Sequence, residues 1–303
     1  MKNARSRSLA KLIASMVIFG TVGIFRNFIP LSSSTLAMCR GFIGAGFLAL
    51  VMLFSRKKHG SGDLKGNFFY LAISGILIGI NWMLLFEAFN YTSVATATLC
   101  YYMAPVFVIL VSPVLFKEKF TPVRLICVFL SVGGMILVSG ILSGEKSGTK
   151  GILLALGAAV FYASVIVINK KITGVDSYFK TVIQLLFAAL ALIPFEIAGG
   201  SLKYLEFSSG TALVFALIAV VGILHTGIAY MLYFSSMDGL DAQTVSIFSY
   251  IDPVVAVVLS ALLLHEKAGI GCFIGGILII GSAILCEFDP RINIYKNTAT
   301  KGK

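Results

Sequence analysis

The chain has 303 residues, of which 58% are hydrophobic and only 12% charged, with a formal net charge of +11. Soluble domains carry about 25% charged residues, so a water-soluble fold of this composition would expose wide apolar patches, whereas a bilayer suits it. The positive charge forms no basic face or nucleic-acid motif and sits in short segments between apolar runs, where topology signals lie.

The basic N-terminus, Met1 to Lys11, runs directly into an apolar stretch from Leu12 to Phe25. No small-residue cleavage site follows, and further spans do, so this reads as an uncleaved first helix rather than a signal peptide. A span needs roughly 20 apolar residues. In chain order that criterion predicts helices over Leu9–Ile29, Thr35–Ser55, Phe68–Phe89, Thr92–Phe116 and Pro122–Leu142. A second set follows over Gly151–Asn169, Tyr178–Ala198, Thr211–Ser235, Leu240–Leu264 and Gly269–Cys286. The intervening segments, such as Arg56–Asn67 and Gly199–Gly210, are too short for an extramembrane domain. The five cysteines all lie inside apolar runs without metal-ligand spacing, so neither a disulfide framework nor a metal site is expected.

With the N-terminus in the cytoplasm, the inside segments hold 18 Lys and Arg residues and the outside loops 4. That asymmetry places both termini in the cytoplasm. The sequence also repeats. At an offset of 148 residues, Gly79-Ile-Asn-Trp-Met-Leu-Leu-Phe86 falls on Gly227-Ile-Ala-Tyr-Met-Leu-Tyr-Phe234. The same offset puts Tyr102-Met-Ala-Pro105 on Tyr250-Ile-Asp-Pro253, and Glu118-Lys119 on Glu266-Lys267. The expected fold is therefore all-α and integral to the membrane: ten transmembrane helices in two inverted five-helix repeats. They cover residues 9–142 and 151–286, followed by a basic cytoplasmic tail over 287–303. Inverted repeats of this kind belong to secondary transporters, which alternate access around a site near the midplane.

Particular motifs carry a resemblance as well. Met103-Ala-Pro105 is followed by Lys117-Glu-Lys-Phe-Thr121 and Gly133-Gly134. Their second-half counterparts are Asp252-Pro253, His265-Glu-Lys267 and Gly275-Gly276 with Gly281. With Arg40 inside the second helix, these make the chain similar to the drug/metabolite transporter superfamily, specifically its ten-helix EamA-type bacterial exporters. The resemblance spans about Ala10 to Leu285. It implies movement of amino acids, other metabolites or drugs, usually outward across the inner membrane. It fixes no universal substrate-binding residue.

The midplane layer defines the candidate site. It holds Asn81, Trp82, Tyr101, Tyr102 and Tyr162, with His225, Tyr230, Tyr250 and Asp252 from the second half. Such polarity would not face lipid, so it is expected to line a cavity, with the aromatic rings walling a small amphiphilic cargo. Asp252 is the most informative residue. A carboxyl at mid-helix costs roughly 2.5–3.5 kcal/mol to insert, so it is either a coupling group for protons or a substrate amine, or a paired structural acid. Its repeat counterpart is Ala104, which leaves one such acid rather than two. His225, at similar depth, is a relay partner for Asp252 or a hydrogen-bonded structural histidine. Pro105 and Pro253 each remove a backbone donor, freeing the carbonyls of Tyr101 and Ser249. Arg26, Arg40 and Glu87 lie toward the outer ends of their helices and are expected to form an ion-paired gate or a static cluster. The Gly75-x-x-x-Gly79 and Gly271-x-x-x-Gly275 spacings permit close helix packing in the bundle, or contact with a second copy.

No H-E-x-x-H, G-x-S-x-G or P-loop pattern occurs, which argues against an enzyme or an ATP-driven pump, and no cofactor is implied. A channel would want rings of like residues around a symmetric pore, which one Asp252 does not supply. The expected function is secondary transport of small metabolites, with export coupled to a proton gradient favoured over uncoupled facilitation or exchange. The expected partners are a small-molecule substrate and membrane lipid, with no nucleic acid, and the chain a monomer or homodimer in the inner membrane.

Overall fold

The computed structural model describes residues 2–55, 64–116, 122–138, 148–169, 171–199, 211–237, 240, 245, 248–266 and 269–287. Among these residues every regular element is helical and none is a strand. That is the answer a bilayer imposes on an open chain, because each backbone N–H and C=O must be satisfied within its own segment.

In chain order the helices are α1 (Lys2–Asn27), α2 (Ser33–Phe54), α3 (Leu64–Ala88), α4 (Val94–Tyr101), α5 (Ala104–Phe116) and α6 (Pro122–Val138). They continue as α7 (Thr149–Asn169), α8 (Ser177–Gly199) and α9 (Thr211–Gly222). A π-helical segment (Ile223–Ile228) then leads into α10 (Ala229–Met237), α11 (Ile251–Leu263) and α12 (Ile270–Glu287). Among the described residues, six helical stretches are long and apolar enough to cross a membrane, and four shorter apolar helices accompany them. Their outward faces are greasy: Ile270 and Ile277 on α12 are 79% and 71% exposed, which lipid tolerates and water does not.

Packing runs in defined pairs. α3 lies against α7 and α8, α2 against α8 and the π segment, and α1 against α10 and α11. α6 lies against α12, while α4 touches α11 and α7. The glycine spacings serve these contacts inside the chain. A side chain at Gly79 would run into the Ala188 backbone on α8, and one at Gly134 on α6 would meet the Gly275 carbonyl on α12 at 2.6 Å. Ser131 and Ser282 share a hydrogen bond across that same α6–α12 seam.

Three features differ from the sequence reading. The fourth expected helix is two, α4 and α5, separated by a turn at Tyr102 and Met103. Pro105 sits at the second position of α5, where its missing N–H and its ring end the preceding helix. The eighth expected helix carries the π segment in its middle, which no residue pattern announced. Asp252 lies in the first turn of α11, whose N-cap is Tyr250, and not in mid-helix. The Lys117–Thr121 motif, the 143–147 loop, and the tail beyond Glu287 fall outside the described residues.

Candidate functional site

The two proline-linked breaks face one another. Tyr102, in the turn between α4 and α5, donates its hydroxyl to Oδ2 of Asp252 at 2.8 Å. The helix start on which Asp252 stands adds the partial positive charge of its free N–H groups, which favours a carboxylate there. The Tyr102 ring lies 6.1 Å from Tyr250 and 5.9 Å from Tyr101, and Tyr101 lies 5.4 Å from Tyr162. Tyr101, Tyr162 and Tyr230 all interact electrostatically with Asp252, so five tyrosines from both halves surround one acid. Tyr162 keeps 39% of its surface exposed, and an apolar cleft of about 170 Å³ between α5 and α7 is lined by Phe107, Val160 and Ala163. On the other side of Tyr230, Phe19 and Phe234 pack at 5.2 and 5.8 Å.

Asn81 is buried and donates to the Ala158 carbonyl at 2.6 Å, which ties α3 to α7. Trp82 is buried beneath Arg40, whose guanidinium carbon stands 4.0 Å above the ring. Arg40 Nε donates to Thr226 Oγ1 at 3.1 Å, and Thr226 in turn donates to the Val221 carbonyl five residues back, the register of the π turn. The widened turn thus presents Thr226 to α2 and His225 to α1. His225 Nε2 lies 2.8 Å from Thr21 Oγ1, and its ring packs edge-on against Phe25 at 4.8 Å. His225 is fully buried in this pocket, and its hydrogen bonds go to Thr21 and the Val220 carbonyl, not to Asp252. The relay pair anticipated from depth alone is not formed.

Of the three charged residues expected together at the outer helix ends, Arg26 and Glu87 meet and Arg40 does not. Arg26 donates to the Ile29 carbonyl at 2.9 Å, Ser33 Oγ at 3.3 Å and Asn90 Oδ1 at 3.2 Å, and interacts electrostatically with Glu87. Glu87 accepts from Ser33 at 2.7 Å and Asn90 at 3.1 Å. Arg40 stands apart on Trp82, because about two turns of α2 separate it from Ser33 and its side chain projects toward the π segment.

Sequence reasoning missed a second carboxylate at this end. Glu196 is 2% exposed and accepts from Thr35 at 2.6 Å and from Ser32 at 3.4 Å. It is visible in the sequence as an acid two residues after Pro194 in an apolar helix, a feature equal in kind to Asp252. A third, Glu266, accepts from the Val94 N–H at 3.0 Å and so caps α4. His265 before it holds a left-handed φ of 52°, which turns the chain off α11 toward that helix start. Glu87, Glu196 and Glu266 thereby tie together the end of the bundle where α1, α3, α8 and α11 finish and α2 and α4 begin. Removing both hydroxyl donors of Glu196 with Ser32→Ala and Thr35→Val leaves a buried carboxylate without its partners. The expected cost is about 1.5–3 kcal/mol, read as a lowered Tm of the purified protein.

Apolar helices long enough to span a bilayer, with polar groups turned inward around a central cluster of tyrosines, define a multi-pass helical membrane protein. The chain belongs to the EamA-like transporter family, whose model matches residues 7–140 and again residues 149–287. It is 30% identical over 285 residues to the uncharacterized transporter YxxF of Bacillus subtilis (strain 168), a match covering 93% of this chain and 89% of that one. It is 28% identical over 205 residues to the protein RarD of Escherichia coli (strain K12), covering 66% and 65% of the two chains. A protein of known crystal structure superposes with a TM-score of 0.61 at 18% identity, over 93% of this chain and 96% of its own, which speaks for the fold. The family and the Bacillus relative are both described as transporters.

Proposed function

We propose that the chain is a secondary carrier that moves small metabolites, amino acids or amphiphilic drug-like molecules across the inner membrane by alternating access, with export coupled to a proton gradient. The observation that carries this reading is the Tyr102–Asp252 hydrogen bond. It joins the two helix breaks, one from each half, at the centre of the aromatic chamber.

Ten spans follow if α4 with α5, and α9 through α10, each count as one crossing. Two inverted five-helix repeats account for several facts together. The offset of 148 residues places Tyr102 on Tyr250, Ala104 on Asp252 and Pro105 on Pro253. The family model matches twice in tandem. The packing pairs also exchange under that offset: α3 with α7 becomes α10 with α1, and α3 with α8 becomes the π segment with α2. The positive-inside count puts both termini in the cytoplasm and the glutamate-tied end outside. Arg26, Glu87, Glu196 and their hydroxyl partners then act as the closed outer gate, which must part for cargo to leave. Asn81, Trp82, Tyr101, Tyr102, Tyr162, Tyr230 and Tyr250 form the cargo wall, Asp252 carries the proton, and Pro105 and Pro253 supply the breaks about which the halves rock. The chain works as a monomer or homodimer, surrounded by lipid, without cofactor or nucleic acid.

One observation favours a second reading. Asp252 stands at a helix start whose dipole suits a fixed carboxylate, the arrangement of an uncoupled facilitator or exchanger. Counterflow separates a carrier from a channel. Proteoliposomes preloaded with unlabelled cargo are expected to draw in labelled cargo transiently and saturably, and linear, non-saturating flux would rule the carrier out. Tyr102→Phe, which removes one hydrogen bond to a charged group, is expected to slow this exchange roughly tenfold at unchanged protein yield.

A further inference from the structure

We propose that Arg40 is an anion subsite of the central chamber, and that the cargo therefore carries a carboxylate. This rests on the carrier reading for its meaning but not for its test.

A buried arginine in a membrane bundle is costly to place unless its charge is met. Arg40 is 5% exposed, and its guanidinium offers five N–H donors in a planar fork. The fork is only partly used. Nε meets Thr226, and the flat face rests on Trp82 at 4.0 Å and near Phe86 at 5.4 Å. No acceptor among the described residues meets the two η nitrogens, and no carboxylate there interacts with the group. Among the described residues, the fully enclosed side-chain nitrogen without a partner is Arg26 Nε and neither of these.

The charged neighbours fix which way the open side looks. The groups that interact electrostatically with Arg40 are the hydroxyls of Tyr101 and Tyr230 and, from the π segment, His225; the two tyrosines also interact with Asp252. Arg40 and Asp252 thus stand on either side of the same two tyrosines without pairing with one another. The arginine is also braced. Stacking on Trp82 and the bond from a π-bulge threonine hold its plane, which pre-organises the η edge for a planar, two-oxygen partner. A carboxylate matches that edge, and an amide, with one oxygen and no charge, does not. The arrangement gives the chamber two chemically distinct poles, one cationic and one acidic.

The test uses a reporter already in place. Trp82 is the only tryptophan in the chain, directly under the guanidinium. The purified full-length chain in detergent is titrated with L-leucine, hexanoate and octanoate, each beside its own primary amide, while Trp82 emission is followed. Saturable emission changes are expected with the carboxylates, at concentrations at least tenfold lower than with the amides. Arg40→Gln is expected to abolish that discrimination, and Arg40→Lys to retain part of it. Equal responses to acid and amide in the wild type, or no response to any carboxylate, would overturn the proposal without reliance on any variant. So would full discrimination in a folded Arg40→Gln protein. A repeat in sulfate in place of chloride separates carboxylate recognition from general anion binding: loss of the acid–amide difference when the bulk anion is changed overturns it. Binding is read here without flux. Failed counterflow beside intact discrimination would sink the carrier reading alone.

Discussion

Asp252→Asn is expected to abolish uphill transport while leaving exchange intact. The amide keeps the size of the side chain and still accepts the Tyr102 hydroxyl, so the break between the two halves stays joined. What it loses is the capacity to bind and release a proton. In proteoliposomes with an imposed pH gradient, accumulation above equilibrium should fall by roughly tenfold or more, since Asp252 is the carboxyl that joins the two helix breaks. Counterflow in the same vesicles should persist near the wild-type rate. If both fall together, Asp252 contacts cargo rather than proton. If neither falls, it is a structural acid.

Gly79→Val is expected to remove most of the folded protein. The α3 backbone crosses α8 so closely that a Cβ at Gly79 would overlap the Ala188 carbonyl and lie 3.1 Å from Ala188 Cα. These are backbone atoms and no rotamer change relieves them, so two of the bundle's central helices must separate. Overpacking against movable side chains costs about 1–3 kcal/mol, and against fixed backbone the penalty should lie at or above the upper end. The measurement is the yield of monodisperse protein on size exclusion, with Gly157→Val as control. Gly157 is 3.6 Å from its nearest neighbour, a flexible Leu84 methyl, and should tolerate the change.

The sequence carried the fold to a considerable depth. Uninterrupted apolar runs located the helices because a bilayer leaves a chain little other choice. The prolines located the breaks, and the 148-residue offset matches Tyr102 to Tyr250, whose rings stand 6.1 Å apart. Depth along a helix, however, says nothing of azimuth. His225 and Asp252 share a layer but look to different helices, His225 to Thr21 on α1 and Asp252 to Tyr102. The π turn that rotates Thr226 toward Arg40 is a packing outcome. α2 presses so closely that a side chain at Gly222 would strike Ile43, and its extra residue leaves no mark in composition or period. Glu196 was legible and passed over, a buried acid in an apolar run like the one that drew attention to Asp252.

The most direct measurement of the central claim is cargo accumulation by the wild-type chain in proteoliposomes under an imposed pH gradient, with a labelled panel of amino acids and small amphiphiles. The account predicts saturable accumulation of at least one compound above its equilibrium level, collapsing when a protonophore is added. Flux that only equilibrates, with or without the gradient, would contradict it.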